Sequence, residues 1–164
     1  MGASREPRSR EADRAAVRFP PPFVFILTTV AGLALHARAL PLPIGLPEPV
    51  RNFGVWGSLL FGAGFIVSAL ILFHRTGQDP EPWKSTPEII FSGPYRWTRN
   101  PIYLGMALLQ ASVGLWRSNG WILLLLPLAL IGVYLLAIRH EEAYLGSKFG
   151  KAYLDYKARV RRWL

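Results

Sequence analysis

Apolar residues along this chain are concentrated in four blocks, which are separated by polar and proline-rich segments. The blocks are residues 23–35, continuing past His36 and Arg38 to Leu42, and residues 53–73, 101–116 and 121–138. A helix that crosses a bilayer needs roughly 20 apolar residues, with about 17 at the short end. The second block meets this length and the fourth nearly does, whereas the first and third are marginal alone.

The third block becomes a plausible membrane helix when it is paired with the fourth. Between them lies the sequence Arg117-Ser118-Asn119-Gly120, a combination of residues that favours a turn. Trp116 and Trp121 flank this turn, and aromatic residues of this kind are enriched at the membrane interface. The pattern therefore predicts a tight helical hairpin.

The first two blocks predict helices over residues 23–40 and 53–73. The loop between them is expected to be non-helical because it contains several prolines, at positions 41, 43, 47 and 49. Four glycines lie along or near the second helix, at positions 54, 57, 62 and 64. Small residues let membrane helices approach closely, so these glycines are expected to serve helix packing. The alternative is that they let the backbone approach a ligand closely.

The polar segments also carry patterns. Residues 74–100 are too polar and proline-rich to span a membrane; 88–91 favour a short extended segment, and 92–94 favour a turn. In the C-terminal segment, apolar residues recur at helical spacing with basic residues largely between them. Such a basic amphipathic pattern suits the cytoplasmic membrane surface. Gly146 and Gly150 predict two short helices there rather than one. The apolar positions are Leu145, Phe149, Tyr153, Tyr156 and Val160.

These patterns predict an all-α integral membrane protein. It would have about four transmembrane helices and a C-terminal amphipathic interfacial helix. Residues 1–18 read as a disordered basic tail, and residues 19–164 as a single transmembrane domain. Ala37-Arg38-Ala39 loosely resembles a signal-peptidase site, but the long, partly acidic leader and the prolines at 20–22 favour a retained first helix.

The charged residues lie in segments separate from the apolar blocks, which explains how half of the residues are hydrophobic while the formal net charge is +9. Sixteen of the nineteen Lys and Arg residues lie in 1–18, 75–99 and 139–162, and three lie in the two other loops. By the positive-inside rule, both termini and the central loop are cytoplasmic, as expected in a bacterial inner membrane. Because the charges flank membrane segments, no nucleic-acid partner is expected. The absence of cysteine excludes thiolate metal sites, and no other metal site is indicated.

Candidate chemistry lies in two polar clusters that flank the hairpin. Residues 93–105 combine arginines with tyrosines, and residues 139–142 contain Glu141 and Glu142. The hairpin returns both clusters to one membrane face, where they can meet. Arginine binds carboxylate or phosphate, and tyrosine offers a ring face and a hydroxyl. The glutamates suit a cationic or hydroxyl-bearing group.

Structural roles compete with these interpretations. Asn100 and Pro101 suit an N-cap and a first helical turn, and Arg99 could extend towards lipid head groups. Glu141 and Glu142 could simply stabilise a helix N-terminus. If the clusters do form a site, S-adenosylmethionine and a zwitterionic lipid head group fit it equally well, so the residues alone leave both open.

The ordered pattern of residues 93–105, a membrane hairpin and residues 141–163 resembles a group of membrane enzymes, the isoprenylcysteine carboxyl methyltransferases and phospholipid methyltransferases. The resemblance covers about residues 75–164 and, loosely, the two earlier helices. It implies S-adenosylmethionine as methyl donor, bound at the cytoplasmic membrane face. It also implies a lipophilic acceptor, such as an isoprenylcysteine carboxylate or a phospholipid amine.

The resemblance also implies site residues, carried over by position. Those expected to bind the donor are Ile89, Ile90, Tyr95, Asn100, Pro101, Ile102, Tyr103 and Glu141. Those expected to act in catalysis are Arg99, Asn100 and Glu142. The group commonly has histidine where this chain has Asn100. Since asparagine cannot titrate, a role for this position as a base is in doubt, while a structural or donor-binding role survives.

The leading functional hypothesis is therefore an S-adenosylmethionine-dependent membrane methyltransferase. The alternative is a non-catalytic membrane protein of the same fold that binds lipid head groups. A small transporter is disfavoured because only His36 and Arg38 approach the membrane interior as ionisable groups. The identity of the acceptor and the oligomeric state are not indicated by the sequence.

Overall fold

The computed structural model describes residues 15–17, 19–81 and 84–164. This part of the chain is helical and contains no β-strand, so the all-α prediction is confirmed for it. A 3₁₀ turn at Gly93–Arg96 precedes α3, and a π-helical turn at Tyr134–Ile138 precedes α6. The α-helices are α1 Pro22–Arg38, α2 Glu48–Arg75, α3 Pro101–Trp116, α4 Gly120–Leu124, α5 Leu126–Val133, α6 Arg139–Phe149 and α7 Lys151–Arg159.

Helix α2 begins earlier than the sequence pattern predicts. Pro47 is its N-cap and Pro49 lies in its first turn, so the expectation that Pro49 belongs to a non-helical loop is wrong. The first turn tolerates proline because its backbone N–H groups have no intrahelical acceptor. The helix is 28 residues long, enough to bring its C-terminal end into the polar region beyond the apolar block.

Helices α2 and α3 run antiparallel and approach closely at two glycines. A Cβ atom on Gly62 would lie 2.9 Å from the Gly105 carbonyl oxygen, and one on Gly105 would lie 2.7 Å from the Gly62 oxygen. Gly57 and Gly64 meet no atom within 4 Å. The predicted packing role therefore holds at Gly62 and at Gly54, where a Cβ atom would lie 3.0 Å from the Leu115 side chain of α3, but not at Gly57 or Gly64.

The predicted turn between the third and fourth blocks is confirmed. The Asn119 side-chain oxygen accepts hydrogen bonds from the backbone N–H groups of Trp121 (3.0 Å) and Ile122 (3.4 Å), which caps α4. Its side-chain nitrogen donates to the Gly32 carbonyl oxygen at 3.1 Å. An antiparallel bridge between Pro43 and Asn119 joins this turn to the α1–α2 loop at one end of the helical bundle.

The fourth block and the residues after it form one continuous helical run, Gly120–Phe149. This run consists of α4, α5, the π-helical turn and α6, with no loop between them. The α4–α5 junction at Leu125 precedes Pro127, whose missing N–H interrupts the hydrogen-bond ladder. Glu141 and Glu142 therefore lie within a longer helix. The hypothesis that they stabilise a free helix N-terminus is wrong, because the helix continues on both sides of them.

The C-terminal segment is divided into α6 and α7, as predicted, but only α7 is a separate short helix, because α6 is the end of the long run Gly120–Phe149. The break occurs at Gly150, which adopts a positive φ of 53°, while Gly146 lies inside α6. Tyr153 and Tyr156 are the buried side chains of α7. This helix therefore turns its tyrosines towards the bundle end where α3 begins.

Two helices are long and apolar enough to cross a membrane, Glu48–Arg75 and Gly120–Phe149, while α1 and α3 are shorter. Large apolar side chains on α2 face outwards, with Phe53 82% exposed and Phe61 70% exposed. Such a surface suits lipid rather than water. The prediction of a membrane protein therefore fits the structure, and the count of four spans stays a prediction.

Most of the predicted N-terminal tail lies outside the described residues, namely 1–14 and 18. Within it, Ala15 and Val17 are described and are buried in the hydrophobic core. These residues of the predicted tail are therefore packed against the bundle.

Candidate functional site

A cavity of about 360 Å³ lies where α1 and α3 begin and α2 ends. It is covered in part by the loop between α2 and α3 and by residues of α6 and α7. The structure brings all the site residues predicted from sequence to this cavity, although their roles stay predictions. They are Ile89, Ile90, Tyr95, Arg99, Asn100, Pro101, Ile102, Tyr103, Glu141 and Glu142.

Tyr95 is positioned by the 3₁₀ turn that begins at Gly93. Gly93 has a φ of 58°, a backbone conformation that residues with a side chain rarely adopt. The Tyr156 hydroxyl donates to the Tyr95 carbonyl oxygen at 2.7 Å, fixing the turn against α7. The Tyr95 ring meets Phe73 of α2 edge to face, with centroids 6.3 Å apart. Burial, aided by the nearby Glu141 carboxylate, raises the pKa of Tyr95 above its ordinary value, so its hydroxyl stays neutral.

Asn100 precedes α3 and is buried, but its side chain does not cap the helix. Its amide nitrogen instead donates to the carbonyl oxygen of Arg162 at 3.1 Å. The Thr98 hydroxyl donates to the same oxygen at 2.9 Å. Asn100 therefore occupies the expected N-cap position of α3, but its side chain ties the C-terminal segment to the start of the helix instead of capping it.

Glu142 is the centre of an ion-pair cluster. Its oxygens lie 2.9 Å from Arg162 Nε, 3.3 Å from Lys157 Nζ and 3.3 Å from Arg99 Nη2. The Glu142 side chain is only 10% exposed. Three cations around one shielded carboxylate leave it little capacity to bind a cationic ligand, so its contacts indicate that it positions Arg99 and the C-terminal segment.

Glu141 has different surroundings, although it is the adjacent residue. Its Oε1 accepts a hydrogen bond from the Tyr103 hydroxyl. Within the described ranges it forms no ion pair, and it lines the cavity. Glu141 therefore presents a carboxylate to the cavity that no cation of the described residues neutralises.

Arg99 supplies the complementary charge. Its side chain is 8% exposed and one terminal nitrogen, Nη2, faces Glu142. Among the described residues, its Nε and Nη1 find no hydrogen-bond partner. A buried donor without an acceptor costs roughly 1–3 kcal/mol, so an anionic group in the cavity would satisfy these nitrogens.

Comparison with known proteins identifies the group to which this arrangement belongs. Residues 53–152 match the phospholipid methyltransferase family. The chain belongs to this family. Membership of this family indicates a membrane methyltransferase, in agreement with the resemblance seen in the motifs around the cavity.

Two proteins are similar in sequence to this chain. An uncharacterised protein of Haemophilus influenzae is 38% identical over 65 residues, which cover 38% of this chain and all of that protein. Methanethiol S-methyltransferase of Mycobacterium tuberculosis is 26% identical over 160 residues, which cover 87% of this chain. The match covers 64% of the mycobacterial enzyme, so this chain spans less than two thirds of its length. No solved structure matches.

Sequence reasoning missed several residues that line the cavity of this methyltransferase. Gln78 and Phe73 lie at the end of α2, in a stretch with no recognisable motif. Tyr153 and Tyr156 were visible as an amphipathic pattern, but nothing in the pattern indicated that α7 folds back over the site. Burial raises the pKa of Tyr153 to about 12, so it too remains neutral.

Proposed function

We propose that this chain is an S-adenosylmethionine-dependent methyltransferase that acts on a lipophilic acceptor at the cytoplasmic membrane face. The observation that carries the proposal is the cavity in which unsatisfied donors of Arg99 and the open carboxylate of Glu141 lie beside apolar helix surface. When bound, S-adenosylmethionine supplies an electrophilic methyl group, which passes to the acceptor nucleophile as S-adenosylhomocysteine is released.

The charges in the cavity match the charged groups of such a donor. Arg99 Nε and Nη1 are available for its carboxylate. Glu141 is available for its ammonium group or a ribose hydroxyl, and the hydrogen bond from Tyr103 orients the carboxylate. The remaining predicted donor contacts lie on the same cavity: Ile89, Ile90, Tyr95, Asn100, Pro101 and Ile102.

The acceptor side of the proposal rests on the apolar part of the cavity. Its lining continues along the membrane helices to Ile66 and Leu70 of α2 and Met106 of α3. These residues lie in the hydrophobic stretch rather than at the polar end, so a lipophilic acceptor could enter from the bilayer. An isoprenylcysteine carboxylate or a phospholipid amine fits this description.

A small thiol is the second acceptor candidate. The observation that favours it is the similarity to the mycobacterial protein named methanethiol S-methyltransferase, at 26% identity. Thiols and amines both require loss of a proton before or during attack. The described cavity offers no imidazole for this, since Asn100 stands where the group commonly has histidine.

Positioning is the main catalytic contribution that we propose for the protein. Arg99 would hold the donor, Glu142 would fix Arg99, and Asn100 would fasten the C-terminal segment that carries Arg162. Bringing two reactants together in reactive geometry can supply a large part of the rate enhancement. A carboxylate acceptor would need nothing more, whereas an amine or thiol acceptor would still have to pass its proton to a base or to water.

The proposed topology places this site at the cytoplasmic face of a bacterial inner membrane. The four apolar segments would all span it, with both termini inside. Arg38, Arg51 and Arg117 lie at the bundle end opposite the cavity, while the basic loops and the C-terminal segment surround the cavity end. This separation of charge supports the proposed orientation.

A transfer assay with methyl-labelled S-adenosylmethionine tests the proposal. The purified protein would be offered phosphatidylethanolamine vesicles, a prenylcysteine analogue or methanethiol, and labelled product would be measured in each reaction. We expect turnover with at least one acceptor, and loss of turnover in Glu141→Gln. A folded protein that neither transfers the label nor binds the donor would instead support the alternative, a non-catalytic membrane protein that binds lipid head groups.

A further inference from the structure

A second hollow in the molecule lies on the outer surface of α2, apart from the cavity. It is an open groove of about 490 Å³. Its walls come from α2, between Leu60 and Ser68, and from the 3₁₀ turn with Trp97 after it. None of its lining residues also lines the cavity. The groove is therefore a separate feature that the proposed methyl transfer does not use.

The groove and the cavity lie on opposite faces of α2. Successive residues of an α-helix are rotated by about 100° around its axis. This rotation places the groove residues Phe61, Phe65 and Ser68 on one face, and the cavity residues Ile66 and Leu70 on the other. A molecule in the groove would lie at the outer surface of the bundle, with α2 between it and the methyl donor. It would therefore not be the methyl acceptor.

The part of the groove along α2 is apolar and suits a hydrocarbon chain. Gly64 leaves space there, since a Cβ atom added to it would meet no atom within 4 Å. Leu60 and Phe61 are the exposed apolar walls. The Ser68 hydroxyl donates to the Phe65 carbonyl oxygen of its own helix at 3.1 Å, so its hydrogen is not available to a ligand. Because this stretch of α2 belongs to the apolar block, lipid acyl chains are the hydrocarbon that it would meet.

The other end of the groove is polar and carries a positive charge. The 3₁₀ turn is seated on Leu72, one turn of α2 beyond Ser68, because a Cβ atom on Gly93 would lie 2.8 Å from the Leu72 side chain. Arg96 in this turn is exposed, and within the described part of the chain its side chain forms no ion pair or hydrogen bond. Trp97 beside it is 68% exposed, as is usual for tryptophan at the level of lipid head groups.

Charge complementarity indicates the kind of head group that would fit. Arginine binds phosphate well, and Arg75 adds a second exposed cation on the same face of α2, about two turns beyond Ser68. Among the described residues that line the groove there is no aspartate or glutamate. The groove therefore complements the phosphate of a lipid but offers nothing to the ammonium group of a zwitterionic one.

We infer that this groove binds a phospholipid with an anionic head group. One acyl chain would lie along α2 at Gly64, and the phosphate would contact Arg96 beside Trp97. The inference goes beyond the proposed function and does not depend on the identity of the methyl donor. The bound lipid would support the outer side of the 3₁₀ turn, whose Tyr95 forms part of the cavity on the inner side.

Lipid titration followed by native mass spectrometry tests this assignment. Phosphatidylglycerol and phosphatidylcholine with identical acyl chains would each be added to the delipidated, detergent-purified full chain. For the wild type we expect about fivefold tighter binding of phosphatidylglycerol. In Arg96→Gln we expect this preference to fall to within about twofold. Gly64→Leu fills the apolar part of the groove and should weaken phosphatidylglycerol binding about tenfold, the effect of losing contact with roughly two methylene groups.

Two substitutions outside the groove are matched controls. Arg117→Gln removes an exposed arginine that also neighbours a tryptophan, with its guanidinium 5.8 Å from the centre of the Trp116 ring, but at the other end of the bundle. Gly57→Leu adds the same side chain as Gly64→Leu on the same face of α2, about two turns away, where a Cβ atom also meets no neighbour within 4 Å. We expect lipid binding by both controls to match the wild type.

Several results would overturn the inference. Equal affinity of the wild type for the two lipids would exclude recognition of an anionic head group. Equal losses in Arg96→Gln and Arg117→Gln would indicate general attraction by surface charge, and equal losses in Gly64→Leu and Gly57→Leu would indicate general coating of α2 by lipid.

A competition experiment distinguishes a lipid from free phosphate. Glycerophosphoglycerol carries the same head group without acyl chains, and we expect it not to displace phosphatidylglycerol at equal concentration. Displacement would overturn the role of the apolar part of the groove. Titration of the same samples with S-adenosylhomocysteine tests the proposed donor separately, so failure of either proposal leaves the other standing.

Discussion

Glu141 and Glu142 are neighbours in the chain, yet their carboxylates have different surroundings. Glu142 is paired with Arg99, Lys157 and Arg162, while Glu141 accepts a hydrogen bond from Tyr103 and lines the cavity. At the scale of the residue, one carboxylate holds the site together and the other is available to a ligand. The two should therefore respond differently to the same substitution.

Glu141→Gln should weaken donor binding without unfolding the protein. The substitution removes a negative charge from the cavity but keeps an acceptor for the Tyr103 hydroxyl. A charge-assisted hydrogen bond is worth about 1.5–3 kcal/mol, so we expect at least about a tenfold rise in the dissociation constant. Calorimetric titration measures this. An unchanged affinity would remove Glu141 from the binding site.

Glu142→Gln should destabilise the fold. It would leave Arg99, with 8% of its side chain exposed, beside two other cations without their counter-ion. Breaking a buried pair costs about 3–5 kcal/mol, and the partial exposure of Arg162 (33%) and Lys157 (42%) reduces the expected loss to about 2 kcal/mol.

Asp155→Asn is the control for that experiment. It removes the exposed Lys151–Asp155 pair of α7, in which the Lys151 side chain is 88% exposed. Such pairs contribute little, so we expect a change below about 0.5 kcal/mol in thermal or denaturant unfolding. Equal effects of the two substitutions would contradict the structural role of Glu142.

The sequence could identify these residues but could not separate their roles. The motif around Arg99 and the acidic pair were visible because their residue types and spacing are unusual beside apolar blocks. What distinguishes Glu141 from Glu142 is contact with residues far along the chain, at Tyr103 and Arg162. Gln78 was missed for a similar reason, since only packing places it at the cavity.

At the scale of the element, the contact between α2 and α3 depends on Gly62 and Gly105. We expect Gly105→Ala to destabilise the bundle, because the new Cβ would lie 2.7 Å from the backbone oxygen of Gly62 and the helices would have to separate. Overpacking of this kind costs about 1–3 kcal/mol, measurable by thermal unfolding in detergent.

Gly57→Ala provides the matched comparison on α2. Gly57 is helical, and a Cβ atom added to it would meet no neighbouring atom within 4 Å. Alanine favours a helix over glycine by about 1 kcal/mol, so this variant should be neutral or slightly more stable. A loss of stability at position 57 as large as that at 105 would argue against the close approach at Gly62 and Gly105.

Helix boundaries were predictable where a local signal marks them. Helix α3 begins at Pro101 and ends at Trp116, as the apolar block indicates, and Gly150 divides the C-terminal helices. The start of α2 was misplaced because proline is compatible with a first turn as well as with a loop. The continuity of the fourth block into α6 was also missed, since charged residues at a membrane boundary do not end a helix.

At the scale of the whole molecule, the proposed topology predicts opposite exposure of the two ends of the bundle. Arg96 lies beside the cavity end and Arg117 in the turn after α3, and both are exposed. The sequence has no cysteine, so Arg96→Cys and Arg117→Cys each introduce a single label site. We expect an impermeant thiol reagent to label position 117 from the periplasm and position 96 only from the cytoplasm. Labelling of both from one side would refute the topology.

The global arrangement was accessible from sequence because charge and hydrophobicity separate so clearly along the chain. The hairpin brings the two polar clusters to one end, and all the predicted site residues meet there. The fold of α7 over the cavity was not accessible, because it depends on long-range contacts such as the Tyr156 hydroxyl with the Tyr95 carbonyl oxygen.

Whether the cavity binds S-adenosylmethionine is tested most directly by calorimetric titration of the folded protein in lipid-supplemented detergent. We expect saturable binding of S-adenosylmethionine and of S-adenosylhomocysteine, weakened in Glu141→Gln and unaffected in Asp155→Asn. Absence of binding by monodisperse, folded protein would contradict the proposed donor site and favour a non-catalytic member of the family.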